Sequence, residues 1–201
     1  MGENGVPSEA ADNAVRARGR PRSADRDREI RNAAWLLIAE LGCGGLTFEA
    51  IAQRVGCSRS TLYRRYATKA ELISHLLDQT VRDFAPQFDV DASPREKVLA
   101  YAGTCARMYA GSRGAALTQI IAASHTDPGI AEAVRSHSQM VESHYYEPMA
   151  LLAPNASDRA IKLALHGLIG AILHHVATRR DTLSDAEIVR MADAAIAMAQ
   201  A

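Results

Sequence analysis

Beyond about residue 25 the apolar residues recur at spacings of three and four, and no stretch alternates for long enough to make a strand, so the pattern predicts an all-α protein. The first predicted helix runs from about Asp25 to Leu41. Ile30, Ala33, Ala34, Leu37, Ile38 and Leu41 form its apolar stripe, and Gly42, Gly44 and Gly45 end it. Trp35 is a packing or rim residue beside that stripe. Thr47 caps a short second helix whose inward positions are Phe48, Ile51, Ala52 and Val55, leaving Glu49, Gln53 and Arg54 to water. Gly56 stops it, because glycine accepts the left-handed conformation that a helix exit commonly needs. Ser58 caps a third helix, Arg59 to Tyr66, in which Leu62 and Tyr66 turn inward. A fourth, from Ala70 to about Phe84, carries Leu72, Ile73, Leu76 and Leu77 and is closed by Pro86, which makes it the mechanical link to the rest of the chain.

The remainder predicts at least five more helical segments. They run from Ser93-Pro94 to about Tyr109, from Ala115 to Ser124, from Asp127-Pro128 to about Leu152 with a kink at Pro148, from Ser157 to about Thr178, and from Ser184 to about Ala199. In the penultimate helix Leu165, Leu168, Ile169, Ile172 and Val176 spread over more than one stripe, while Gly167 and Gly170 permit close backbone approach. Ile188, Met191 and Ala195 give the last helix a long apolar seam. Two copies of this pair would form a four-helix bundle around a two-fold axis, so these residues are the predicted dimerisation set. Burial inside a single chain is the competing reading.

The third helix is unusual for what it sends outward. Arg59, Ser60, Tyr63 and Arg64 occupy positions where a packed hairpin would want nothing cationic. The segment is about 12 Å long at about 1.5 Å per residue, which suits a B-DNA major groove about 12 Å wide. Arginine can read guanine by a paired hydrogen bond, whereas the hydroxyls of Ser58, Thr61 and Tyr63 suit phosphates. Lys69, beside the Thr68 cap of the next helix, adds an ammonium group where a phosphate could sit. An ordinary helical hairpin with a polar surface is the plainer alternative.

The opening residues 1–22 hold no periodic apolar pattern and predict a disordered arm. It ends in VRARGRPR, with Arg16, Arg18, Arg20 and Arg22 at alternate positions. Its RGRP resembles the core of an AT-hook, and an extended arm can thread arginines into the negative potential of an A-tract minor groove. A solvated charged tail is the alternative. The formal net charge is zero, yet residues 1–69 carry 12 Lys/Arg against 8 Asp/Glu and residues 70–201 carry 11 against 15. A cationic front and an anionic back would orient the molecule on a polyanion.

Other chemistries find little support. The three cysteines, Cys43, Cys57 and Cys105, form no CxxC pair and read as reduced thiols of a cytoplasmic protein. No apolar run is expected to span a bilayer, and no signal-peptide core opens the chain. HExxH, GxSxG, phosphate-loop and dinucleotide motifs are absent, so no enzyme is expected. His137 and His144 are seven apart and His174 and His175 adjacent, but none of these has dense metal-ligand spacing, and no metal or cofactor is predicted. Candidate pocket residues on the middle helices are Tyr101, Met108, Gln119, Met140, Tyr145 and His166, although such stripes are more often core.

From the glycine-ended first helix through LTFEAIAQRVGCSRSTLYRRYATKAEL, residues 25–77 resemble the TetR family of bacterial transcriptional regulators. The Thr–Ile–Ala, Gly–Cys–Ser, Thr–Leu–Tyr and Lys–Glu–Leu landmarks fall at that family's spacing. Cys57 stands where a valine is usual, Arg65 where a histidine is frequent, and Tyr66 where a phenylalanine is usual. Following the basic arm read over 1–22, the resemblance implies a helix-turn-helix DNA-binding domain with its linking helix over 23–84 and a ligand-binding and dimerisation domain over 85–201, an all-helical homodimer. It implies that Thr47, Tyr63 and Lys69 hold phosphates and that Arg59 and Ser60 meet bases, with Arg64 and Arg65 as further contacts. It further implies a homodimer on a double-stranded, near-palindromic operator, released by a small-molecule effector. A helical small-molecule carrier or scaffold without DNA function is the alternative.

Overall fold

The computed structural model describes residues 20–86 and 88–201, and among them there is no strand. The α-helices in chain order are α1 (Arg20–Gly45), α2 (Phe48–Val55), α3 (Arg59–Tyr63), α4 (Lys69–Asp83), α5 (Pro94–Met108), α6 (Ser112–Ser124), α7 (Pro128–Leu152), α8 (Asp158–Leu173) and α9 (Asp185–Gln200). Most helix starts are set by local chemistry. Thr47 Oγ1 accepts the Ala50 N–H at 3.0 Å, Thr68 Oγ1 the Glu71 N–H at 3.1 Å, and Ser157 Oγ the Ala160 N–H at 3.2 Å. Ser93 with Glu96 and Ser184 with Glu187 form reciprocal capping boxes.

Helices α1 to α4 enclose one part of the core around Ile30, Ala34, Ile38, Leu46, Ile51, Leu62 and Leu72, each almost wholly shielded from solvent. That core runs without interruption into the one formed by α5 to α9. The two parts meet where α1 packs on α6 and α4 packs on α7. Burying these side chains is the main favourable term holding the helices together.

Several expectations need correction. The α1 backbone is already helical at Arg20, so Arg20 and Arg22 stand in a helix rather than an extended arm; Pro21 is tolerated there because first-turn amides have no intrahelical partner. Arg16, Arg18 and the rest of the predicted arm lie outside the described residues. Within α1 the backbone breaks at Gly42 (φ 69°, ψ −179°), where the first helix is expected to end, but Leu41, expected in its apolar stripe, is 60% exposed while Cys43 and Leu46 are buried. Helix α3 closes at Tyr63, three residues early, although Tyr66 still donates its N–H to the Leu62 carbonyl and is buried. Helix α7 runs on past Pro148 to Leu152, with Pro148 buried inside it. Helix α8 widens into a π-helical turn over His174–Thr178 rather than ending as regular α-helix. By length and composition, the span Asp158–Thr178 would also suffice to cross a membrane, contrary to the expectation from sequence. Its Ile161, Ala164, Leu165, Leu168 and Ile172 are buried in the helical core, against α5, α7 and α9.

Candidate nucleic-acid interface and internal cavity

The outward-facing unit is α2, a glycine turn and α3. Gly56 takes up left-handed backbone (φ 67°, ψ 44°) and donates its N–H to the Ala52 carbonyl, which ends α2 and sets the angle at which α3 departs. Three arginines fasten this unit to α1. Arg26 donates to the Val55 carbonyl at 2.8 Å, Arg54 to Glu40 at 2.8 Å, and Arg65 to Asp27 at 2.6 Å. The Arg65 guanidinium also donates to the Thr61 carbonyl at 3.0 Å, so the last turn of the reading segment is tied down from both sides.

On the outer side of this unit Arg59, Ser60, Tyr63 and Arg64 line one shallow, open depression. Tyr63 is 60% exposed and stands edge-on to Phe48, with ring centroids 4.8 Å apart. Ser58 Oγ accepts the Thr61 N–H at 3.3 Å and lies 2.8 Å from Ser60 Oγ and 3.0 Å from Thr61 Oγ1, a run of hydroxyls beside the arginines. Arg59 is 3.5 Å from the Glu49 carboxylate, with both side chains open to solvent. Such a pair contributes little and can exchange for a stronger anion. Thr47 is occupied as the α2 cap, and Lys69 spends one of its three donors on the Cys43 carbonyl at 3.1 Å. The predicted site residues on α3 thus share one surface, whereas Arg65 is turned back into the domain. Burial raises the Tyr66 phenol above its ordinary value, which keeps it an uncharged core ring.

Behind this surface α4 to α8 form a partly open cavity of about 250 Å³, lined mainly by Leu77, Leu117, Val134, Val141, Ile169 and Leu173. Its polar lining comes from Cys105, Tyr109, His137, Ser138, Glu142 and His166. The Tyr109 hydroxyl and His137 Nε2 share a hydrogen bond inside the fold, and His137 Nδ1 has no partner. Burial pulls the His137 imidazole down to about 4 and pushes the Cys105 thiol up to about 12, so both are neutral near pH 7. At the edge His166 Nε2 lies 3.3 Å from Glu142 Oε2.

Of the six residues expected to line a pocket, His166 alone borders this cavity. Tyr101, Met108 and Tyr145 border an adjoining void of about 30 Å³. There the Tyr145 hydroxyl is buried without a hydrogen bond, facing the Cys105 thiol, a weak partner. Gln119 is exposed on the far side of α6, its side chain against Gly42, and Met140 is half-buried away from both spaces. The residues that sequence reasoning missed carried a signal: Val134, His137 and Val141 recur at three and four along α7, as Cys105 and Tyr109 do along α5. Among the described residues no three His, Cys, Asp or Glu side chains come together as a metal site would need.

The predicted dimerisation residues are mostly consumed within the chain. Leu165, Leu168, Ile172, Val176, Ile188 and Ala195 are buried, and Ile169 and Met191 half-buried. The outer surface of the pair instead presents Leu163, Gly167 and Gly170 of α8 and Met198 of α9.

Comparison with known proteins agrees with this arrangement. Residues 30–76 match the family described as "Bacterial regulatory proteins, tetR family". The chain is 28% identical over 145 residues to the uncharacterized HTH-type transcriptional regulator YdeS of Bacillus subtilis (strain 168), covering 72% of this chain and 69% of that one. It is 25% identical over 173 residues to the DNA-binding transcriptional repressor TetR of Mycobacteroides abscessus, covering 82% and 91%. Among solved structures, GusR of Salmonella enterica superposes with a TM-score of 0.64 at 16% identity, over 88% of this chain and 96% of that one. A transcriptional regulator from Rhodococcus sp. Rha1 gives 0.62 at 17% identity, over 86% and 94%. The matched head, the helical architecture and these relatives agree: the chain is a DNA-binding transcriptional regulator whose residues 30–76 match the TetR family of bacterial regulatory proteins.

Proposed function

We propose that this regulator is a cytoplasmic homodimeric repressor, released from a near-palindromic operator when a small molecule fills the cavity between α4 and α8. The observation that carries the reading is the path of α4. The helix begins at Lys69, directly behind the reading segment, and its Leu77 forms part of the cavity wall. A ligand that favours a shifted α4 must, by linkage, weaken whatever DNA spacing the unshifted form prefers. The M. abscessus relative, itself a repressor, supports the sign.

In this reading residues 23–84 form the DNA-binding head and 85–201 the effector and pairing part. Arg59, Ser60 and Arg64 meet base edges, while Thr47, Ser58, Thr61, Tyr63 and Lys69 hold phosphates. Arg18, Arg20 and Arg22 add flanking contacts. Arg65 reaches a phosphate only by giving up Asp27. Two heads of a dimer would occupy successive major grooves about 34–36 Å apart.

Selection from a random duplex library tests this, since the recovered fragments should be inverted repeats with half-sites about one turn apart. Affinity should fall steeply with salt; Lys69→Ala should flatten that slope by about one, whereas Arg59→Ala or Arg64→Ala should relax the sequence preference of the recovered half-sites. Failure to retain any duplex at low salt would instead favour a carrier without DNA function.

A further inference from the structure

Resting on the reading that the cavity takes an effector, we infer that its occupant is an amphiphilic cation: an apolar body about the size of two fused rings, carrying one ammonium group that pairs with Glu142 at the rim. Size comes first. An apolar cavity of about 150 Å³ holds benzene, and this one is about 250 Å³. The division of the lining comes second. Leu77, Cys105, Tyr109 and Leu117 are buried and form a dry floor, whereas Ile121, Ser138, His166 and Gly170 are exposed and mark where the cavity meets solvent. An occupant with an apolar end for the floor and a hydrated end for the rim loses least on entry.

The sign of the hydrated end follows from the charges at the rim. Among the described residues that line the cavity Glu142 is the one carboxylate, and none is lysine or arginine. The Glu142 side chain is 22% exposed, and its Oε2 lies 3.3 Å from Nε2 of His166, itself 61% exposed. Because His166 stands mostly in water it can turn away at little cost, since exposed pairs of this kind contribute little. An ammonium group taking its place at Oε2 keeps the carboxylate partnered by a charge-assisted hydrogen bond. Lys162, one turn before His166 on α8, is already engaged by Asp158 at 3.0 Å. An anionic head would meet the Glu142 carboxylate with no lysine or arginine on the wall to offset it. The wider field has the same sign, with 11 Lys/Arg against 15 Asp/Glu over residues 70–201, and it draws cations towards this part of the chain.

Calorimetry on the full chain at pH 7.5 tests this with probes that share a naphthalene body: 1-naphthylmethylammonium, 1-naphthalenemethanol and 1-naphthoate. The ammonium probe should bind about tenfold more tightly than the alcohol, because a hydrogen bond to a charged partner outweighs a neutral one, and naphthoate should bind most weakly. Glu142→Gln should bring the ammonium probe down to the level of the alcohol, while His166→Ala, which frees the carboxylate, should keep the preference. Should Glu142→Gln fail to fold, the order of the probes on the unaltered protein and on His166→Ala decides. Equal or tighter binding of the alcohol, tighter binding of naphthoate, a preference that survives Glu142→Gln or is lost in His166→Ala, or no binding of any probe would overturn the inference. Retention of duplex DNA, measured alongside, separates the two claims. Glu142-dependent ammonium binding that leaves DNA affinity unchanged supports the ligand class and defeats release, whereas DNA binding with no probe bound defeats only the ligand class.

Discussion

Arg59 and Arg65 carry the same charge within two turns of chain, and their surroundings divide their roles. Arg65 is three-quarters shielded and spends its donors on Asp27 and the Thr61 carbonyl, so it holds α3 to α1. Arg59 is 64% exposed, with Glu49 at 3.5 Å, and remains available to an external anion. An outward position suggested Arg59 as a DNA contact and the family resemblance suggested Arg65; only the distant Asp27 separates them, and no spacing rule reaches across that interval. His137 shows the same limit, since burial among α4 to α8 is a property of the whole wall. It also yields a sign. Its imidazole is neutral in the fold with its value down to about 4, against an ordinary value of 6.5. Between these values the unfolded chain binds the extra proton, so stability is fully present above about pH 6.5 and is lost as pH falls towards about 4, by about 3 kcal/mol at most. Thermal unfolding midpoints measured from pH 7 down to pH 4 should fall accordingly. His137→Gln should remove part of that fall; an unchanged pH profile in this variant would mean that other groups cause it.

At the scale of the element, whatever is settled within a few residues was legible. Caps at Thr47, Ser58, Thr68, Ser93, Asp127, Ser157 and Ser184 need only a side-chain oxygen and an amide two or three residues on, and all are present. The end of the first helical run at Gly42 was legible too, since glycine accepts its φ of 69°, whereas the π-helical turn after Leu173 escaped, having no marker of that kind in the sequence. Gly56 is the sharpest local case. Its φ of 67° penalises any side chain with a β-carbon, yet a β-carbon there would meet nothing within 4 Å. The cost of a substitution is therefore conformational alone. Gly56→Ala should lower stability by about 1 kcal/mol in denaturant melts, and Gly56→Asn by less, because asparagine tolerates left-handed backbone. If alanine and asparagine cost the same, backbone conformation is not what glycine supplies at this turn.

For the whole molecule the decisive quantity is which apolar surface remains after the chain has folded. Helical periodicity marked Leu165, Leu168 and Ile172 as pairing residues, but a stripe cannot say which neighbour covers it, and these turn inward. Leu163 (55% exposed) and Met198 (46%) remain outside. Between them Gly167 leaves the α8 backbone open enough for a β-carbon to clear Met198 Sδ by 4.0 Å. A second copy laid across α8 and α9 would bury this surface and close a four-helix contact of the kind two-fold dimers use. Leu163→Glu separates the monomer's needs from the dimer's. An exposed position tolerates glutamate within about 0.5 kcal/mol in an isolated chain, whereas a buried, unpaired carboxylate at a pairing face is strongly unfavourable. Sedimentation should show a dimer for the unaltered chain and a monomer for Leu163→Glu, with the helical melt little changed. On an inverted-repeat operator the variant should occupy half-sites independently, losing the steep binding curve while retaining contact through Arg59 and Arg64. A Leu163→Glu protein that stays dimeric would place the pairing surface elsewhere on the molecule, and the spacing of its two reading heads would have to be derived afresh.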